Sequence, residues 1–232
     1  MILNVVHLKQ MDYDAAHDLQ IKVLEAVQQG VLGDTLLLVE HPPVITMGRN
    51  AVEGNVLFSE SYLASQGISL RTIERGGDAT YHGPGQLVGY PIFDLKARHG
   101  RSIKSFVDKL EAVFIEYLNG EHQLGADRNP VNAGVWLGDS KITAIGLAVK
   151  RGVTFHGFAF NINTDLSHYQ YIVPCGLVGK TVTSLAECLG GPVDFDAVSV
   201  AVARAFVIQY GFESQNEMSL AALESILEKG SC

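Results

Sequence analysis

At 232 residues, 47% hydrophobic and 18% charged, the chain can bury one sizeable core and does not read as disordered. A net charge of −8 argues against a general nucleic-acid binder, which needs clustered lysine and arginine against phosphate. Cys175, Cys188 and Cys232 form neither a metal-type CxxC pattern nor a disulfide framework, and no apolar run approaches the ~18 residues of a membrane helix. The N-terminus lacks the basic start and apolar core of a signal peptide, so the expectation is a cytoplasmic protein whose thiols stay reduced.

Residues 2–8 are β-branched and loosely alternating, which predicts a strand. Residues 13–29 place Ala16, Leu19, Val23, Leu24 and Val27 at helical spacing behind Asp12, a candidate N-cap. The run 35–39 is continuously apolar, as in a buried strand, and His41-Pro42-Pro43 ends it because proline has no ladder donor. Extended structure resumes at 44–47. A short helix follows at 59–65, then strands at 68–73 and 87–93. Residues 102–118 form the clearest helix, with Ile103, Phe106, Leu110, Val113, Phe114 and Tyr117 on one broad face. After a loop at 124–133, strands at 134–137, 141–149 and 153–162 make an antiparallel meander, and helices resume at 182–189, 195–210 and 219–228. Helices and antiparallel strands come in blocks, not in βαβ alternation. The fold class predicted is α+β, a mixed and largely antiparallel sheet covered by helices. One domain spans 1–232, with 194–232 as a candidate appended helical segment.

Three stretches carry candidate chemistry. Cys175 stands between Pro174, which stiffens the backbone, and Gly176, which lets it turn, a setting suited to an exposed nucleophile. Taken alone, it suits a small buried hydrophobe as well. Arg75-Gly76-Gly77-Asp78-Ala79-Thr80-Tyr81-His82-Gly83-Pro84-Gly85-Gln86 packs four glycines and a proline into twelve residues, a pattern of tight turns or of a backbone that approaches a ligand closely. Its spacing is not that of a nucleotide phosphate loop. Lys141 opens the apolar strand Ile142-Thr143-Ala144-Ile145-Gly146; it is either a solvated charge or a cation that favours a nearby thiolate. In Thr154–Asn163, Gly157 and Ala159 leave room on one strand face for an aliphatic chain, while Phe158 and Phe160 suit core packing. His156 with Cys175 allows a Cys–His dyad, and with His82 a metal site, but these ligands are scattered and no metal is expected.

Arg75–Gln86, Lys141–Gly146, His156-Gly-Phe-Ala-Phe-Asn-Ile-Asn163, Pro174-Cys175-Gly176 and Thr183-Ser184-Leu185 occur together and in order. In this combination the chain resembles the octanoyl-acyl-carrier-protein:protein octanoyltransferase family, from about His41 to Leu185. The resemblance implies a fold like the catalytic domain of lipoate and biotin protein ligases. It implies octanoyl-acyl carrier protein as donor, and as acceptors the lipoyl domains of 2-oxoacid dehydrogenase E2 subunits and the glycine cleavage H protein. It implies no cofactor, and the chain is expected to be a monomer. By position, Cys175 would accept the acyl group and Lys141 would be its proton-shuttling partner. Arg75, Gly76, Gly77, Asp78, Ala79, Thr80, Tyr81 and His82, with Ala144, Ile145, Gly146, Gly157, Phe158 and Ala159, would line the acyl site. An ATP-dependent lipoate or biotin ligase of the same fold and a non-catalytic acyl-thioester-binding module are the alternatives.

Overall fold

β1 (Ile2–Gln10) leads into α1 (Tyr13–Gln28), capped by Asp12, whose carboxylate accepts the Asp14 and Ala15 N–H groups. The apolar run becomes β2 (Thr35–Glu40), and β3 (Val44–Met47) follows the proline break. Ser59 caps α2 (Glu60–Ser65), and β4 (Ser69–Thr72), β5 (Ala79–His82) and β6 (Gln86–Ile92) come next. Ser102 caps α3 (Ile103–His122), which runs on to a left-handed Gln123. The expected meander is then β7 (Asp127–Arg128), β8 (Gly134–Leu137), β9 (Ser140–Lys150) and β10 (Val153–Asn161). A 3-10 helix at Leu166–Tyr171 is followed by β11 (Thr181–Val182), α4 (Leu185–Leu189), α5 (Phe195–Tyr210), β12 (Ser214–Glu217) and α6 (Leu220–Gly230). This computed structural model describes residues 1–52, 54–97, 99–130, 132–173 and 181–230; Cys175, with Pro174 and Gly176, and Cys232 lie outside the described residues.

The main sheet has the order β12-β1-β2-β6-β10-β9-β8-β7, with β11 beside β9. Pairing is antiparallel from β2 through β7 and parallel at β12–β1, β1–β2 and β11–β9, which gives the predicted mixed and largely antiparallel sheet. Both faces are covered. Leu36, Leu38, Leu87, Phe158 and Phe160 pack with Phe106, Phe114 and Phe206 of α3 and α5. Their neighbours Leu37, Val39, Val88 and Ala159 pack on the opposite face with Leu19, Val23 and Leu24 of α1. Burial on both faces explains why β2 reads as an unbroken apolar run. A second sheet, β4-β3-β5, lies on the α1 side, where His82 of β5 stacks 6.1 Å from Tyr13 and Arg71 of β4 pairs with Asp14 at 2.9 Å.

Three departures from the expected elements have identifiable causes. Residues 79–82 form the fully buried strand β5 inside the glycine-rich segment, because β3 supplies an antiparallel partner from Val44↔His82 to Met47↔Ala79. The chain at 181–182 is strand, not the first turn of a helix: it pairs with Ser140 and Lys141, and the helix starts only after the Ser184 cap. Ser214–Glu217 carries no apolar pattern, yet pairs in register with Ile2–Val5 at the sheet edge. The C-terminal helices share the common core: Val202 and Phe206 of α5 are wholly buried against α3, and Leu223 of α6 is wholly buried against α1.

Candidate active site

The glycine-rich segment folds as it does because two glycines, one within it and one on the strand beside it, leave no space for a side chain. Gly85 sits at φ +80°, where a Cβ would lie 2.5 Å from the Asn163 carbonyl. A Cβ on Gly157, in β10, would lie 2.0 Å from the Gly89 carbonyl oxygen. These close approaches bring β5, β6 and β10 around a cavity of about 260 Å³ that opens on the α1 side.

A hydrogen-bonded chain holds the polar wall of this cavity. Gln86 donates its amide to Asn161 Oδ1 (2.9 Å) and to the Tyr81 carbonyl (3.1 Å), so its oxygen faces His82 Nδ1 at 2.8 Å. His82 therefore donates from Nδ1, and its Nε2 accepts from Thr46 Oγ1 at 3.3 Å. Arg75 donates Nε to Thr46 Oγ1 (3.2 Å), and its terminal nitrogens donate to the carbonyls of Thr46 (2.6 Å) and Gly76 (3.0 Å). Its charge is thus spread over backbone oxygens inside the protein. Burial, with the nearby His41 and Arg75, pushes the His82 imidazole down to about 3, so it is neutral at physiological pH. His41 donates to the Met11 carbonyl (2.7 Å) and accepts from the Tyr90 hydroxyl (2.6 Å); burial lowers it to about 4.

Lys141 is buried, not a solvated surface charge. The β8–β9 hairpin pairs it with Trp136, and its ammonium lies 4.8 Å from that ring centroid. Nζ also donates to Asn132 Oδ1 and, at 3.4 Å, to the Ala133 carbonyl. The described residues that flank 174–180 in sequence are held by backbone hydrogen bonds. Val173 donates to the Asn55 carbonyl (2.8 Å), and Asn55 in turn holds the Asp78 carboxylate. On the far side Val182 pairs with Lys141, and Thr183 donates to the Lys141 carbonyl at 3.0 Å. Cys175 falls between these anchors in sequence and outside the described residues.

Of the residues the sequence singles out, Arg75, Gly77, Asp78, Ala79, Thr80, His82, Ala144, Ile145, Gly146, Gly157, Phe158 and Ala159 line the one cavity. Gly76 and Tyr81 do not. Gly76 bonds the Leu147 carbonyl at 2.9 Å, fastening the segment to β9. Tyr81 alternates to the far face of β5, where its hydroxyl meets His168 Nδ1 at 2.9 Å and its ring lies 5.7 Å from Tyr169. Phe158 borders the cavity, but its ring belongs to the other face, 4.7 Å from Phe114 and 5.7 Å from Phe206. His156 lines it too, and sequence reasoning passed over Tyr13, Asn50, Val88, Tyr90 and Asn132, which complete the lining. Asn132 had one legible signal: the hairpin that pairs Trp136 with Lys141 brings the preceding loop back over the lysine.

Residues 12–207 match the lipoyl protein ligase A/B catalytic domain. The chain is 50% identical over 214 residues to an octanoyltransferase of Alkaliphilus metalliredigens, covering 92% of this chain and 97% of that one. It is 47% identical over 215 residues to an octanoyltransferase of Desulforamulus reducens, covering 93% and 94%. Among solved structures, lipoate-protein ligase A bound with ATP superposes with a TM-score of 0.76 at 18% identity, over 99% of this chain and 94% of that one. Biotin protein ligase of Aquifex aeolicus gives 0.54 at 14% identity, over 91% and 70%. The ligases share the fold expected from the sequence; the octanoyltransferases share nearly half of its residues over almost the whole length. The chain is an acyltransferase of the octanoyltransferase family, within the lipoyl protein ligase A/B catalytic-domain fold.

Proposed function

We propose that this chain moves an octanoyl group from octanoyl-acyl carrier protein to a lysine of a lipoyl domain, through a thioester on Cys175. The acceptors are the lipoyl domains of 2-oxoacid dehydrogenase E2 subunits and the glycine cleavage H protein. The enzyme works as a cytoplasmic monomer and needs no cofactor. None of the helices among the described residues is long and apolar enough to cross a membrane, in keeping with that setting.

The observation that carries the reading is Lys141, a buried ammonium held by Asn132 and Trp136 on the very residue to which Val182, just beyond the Cys175 segment, is paired. Its charge favours the Cys175 thiolate. The thiolate attacks the octanoyl thioester; the carbon–sulfur bond to the carrier breaks, and the departing thiolate takes a proton from the Lys141 ammonium. The target lysine, entering as its free amine, then attacks the acyl-cysteine. The Cys175 thiolate leaves, and neutral Lys141 recovers the proton shed by the new amide. Each step exchanges one acyl bond for another, so ATP has no role. His82 and His156, both held near 3, are neutral and poor carriers of this proton. The apolar side of the cavity, floored by Gly157, Ala159 and Ala144, suits a straight aliphatic chain.

An ATP-dependent ligase has the shared ligase A/B catalytic domain and a likeness of fold at below 20% identity in its favour, but not the 47–50% identity to the octanoyltransferases. Transfer from octanoyl-carrier to a lipoyl domain without ATP tests the proposal. Lys141→Ala is expected to lower the rate by about 10²–10⁴, the usual contribution of a positioned acid–base group. Lys141→Arg is expected to fail as well, because guanidinium does not give up its proton. Full activity in the arginine variant would reduce Lys141 to a fixed charge.

A further inference from the structure

Beside the acyl cavity, three separate elements bring His17 of α1, Glu74 after β4, and His156 of β10 to one point. Glu74 Oε2 lies 3.6 Å from His17 Nε2 and 3.9 Å from His156 Nε2, and one ligand atom of each residue lies within 4.8 Å of the other two. Ligands held about 2.1 Å from a tetrahedral ion stand roughly 3.4 Å apart. Small rotations of His17 and Glu74, whose side chains are one-quarter and two-fifths exposed, close that difference.

His156 is the second, independent observation. Its side chain is 2% exposed, yet neither ring nitrogen has a hydrogen-bond partner, and His17 Nε2 has none either. Buried polar atoms without partners are costly and uncommon. The backbone accounts for its placement. Carrying the β6–β10 register onward from Phe158↔Gly89 to the bridge Asp94↔Val153 sets His156 opposite Pro91, which has no N–H to give. At that gap His156 takes φ +54°, and its own N–H turns to Gln20 Oε1 on α1, at 2.9 Å. Gln20 lies one helical turn beyond His17, so a single contact sets the two imidazoles face to face, 5.5 Å between centroids.

We propose that His17, Glu74 and His156 form a binding site for a divalent transition-metal ion of the zinc class. Two imidazoles and one carboxylate supply three ligands, and the fourth position is open. The acyl transfer uses none of the three as an acid, base or nucleophile. Because His156 also lines the acyl cavity, an ion here fixes one wall of it.

The test is titration of the full-length chain with Co²⁺, read by visible absorption. The expected result is one Co²⁺ per chain, with d–d bands and without the near-ultraviolet charge-transfer band of a cobalt thiolate. His17→Ala and Glu74→Gln, both at partly exposed side chains and checked for unchanged thermal melting, are each expected to weaken binding at least tenfold. Absence of one-to-one binding, a thiolate charge-transfer band as the bound signal, or unchanged affinity in either variant would overturn the site.

Discussion

The two faces of the main sheet are built from the same strands and differ in almost everything else. Along β10, Phe158 and Phe160 fill the α3–α5 side, where they pack with Phe114, Phe206 and Leu110 in a buried apolar core. The alternate residues Gly157 and Ala159 leave the α1 side hollow, and the space is rimmed by His82, His156, Tyr13 and Tyr90. A strand's period of two lets one segment serve both purposes: at 157–160 the large residues go to one face and the small ones to the other. The lesson is that the cavity is defined by what is missing at 157 and 159 as much as by the polar groups around it.

Breaking the filled face has the largest expected effect on stability. Phe160→Ala, at a wholly buried ring, is expected to cost about 3–5 kcal/mol through lost burial and the cavity left behind. Chemical denaturation would show it, and a loss below about 1 kcal/mol would mean that this face repacks. Filling the hollow face sharpens the comparison. Ala159→Leu is expected to cost less, about 1–3 kcal/mol of overpacking, and to shift preference toward acyl chains shorter than octanoyl. Competition between hexanoyl- and octanoyl-carrier reads this out; an unchanged ratio would place the acyl chain elsewhere.

The smallest effect near neutrality concerns the buried histidines of the hollow face. His41, His82 and His156 are lowered to about 4, 3 and 3, so in the folded protein they stay neutral where the unfolded chain, titrating near 6.5, takes up protons. Stability is therefore full above about pH 6.5 and falls progressively as the pH drops toward 3. His41→Asn is expected to flatten the upper part of that decline. Thermal melts between pH 7 and pH 4 check it, and equal slopes in the variant and the parent would contradict the burial argument.

Much of the fold was legible because burial leaves periodic marks. The stripe on α3, the unbroken β2 and the Asp12 cap all act locally, and the structure places these elements within a few residues of their expected bounds. What escaped the sequence depends on distant partners. β12 is a polar Ser-Gln-Asn-Glu stretch made into strand by β1, over two hundred residues earlier. β5 is strand because β3 lies beside it. The same holds for the site. Glycines and small residues that admit a cavity can be read directly, whereas Tyr13, Asn50 and Asn132 join it only when α1 and two loops fold over the sheet. Tyr81, in the midst of the motif, shows the limit of reading by proximity, since alternation along β5 turns it to the other side.

The central claim is that the acyl group rests on Cys175 without adenylation. Intact and peptide mass spectrometry of the chain mixed with octanoyl-carrier, in the absence of ATP and of acceptor, tests it most directly. The expected result is a single octanoyl adduct on the Cys175 peptide that disappears when a lipoyl domain is added, while the domain gains the group on its lysine. An adduct that forms only with ATP, or transfer that proceeds with Cys175→Ala, would contradict it.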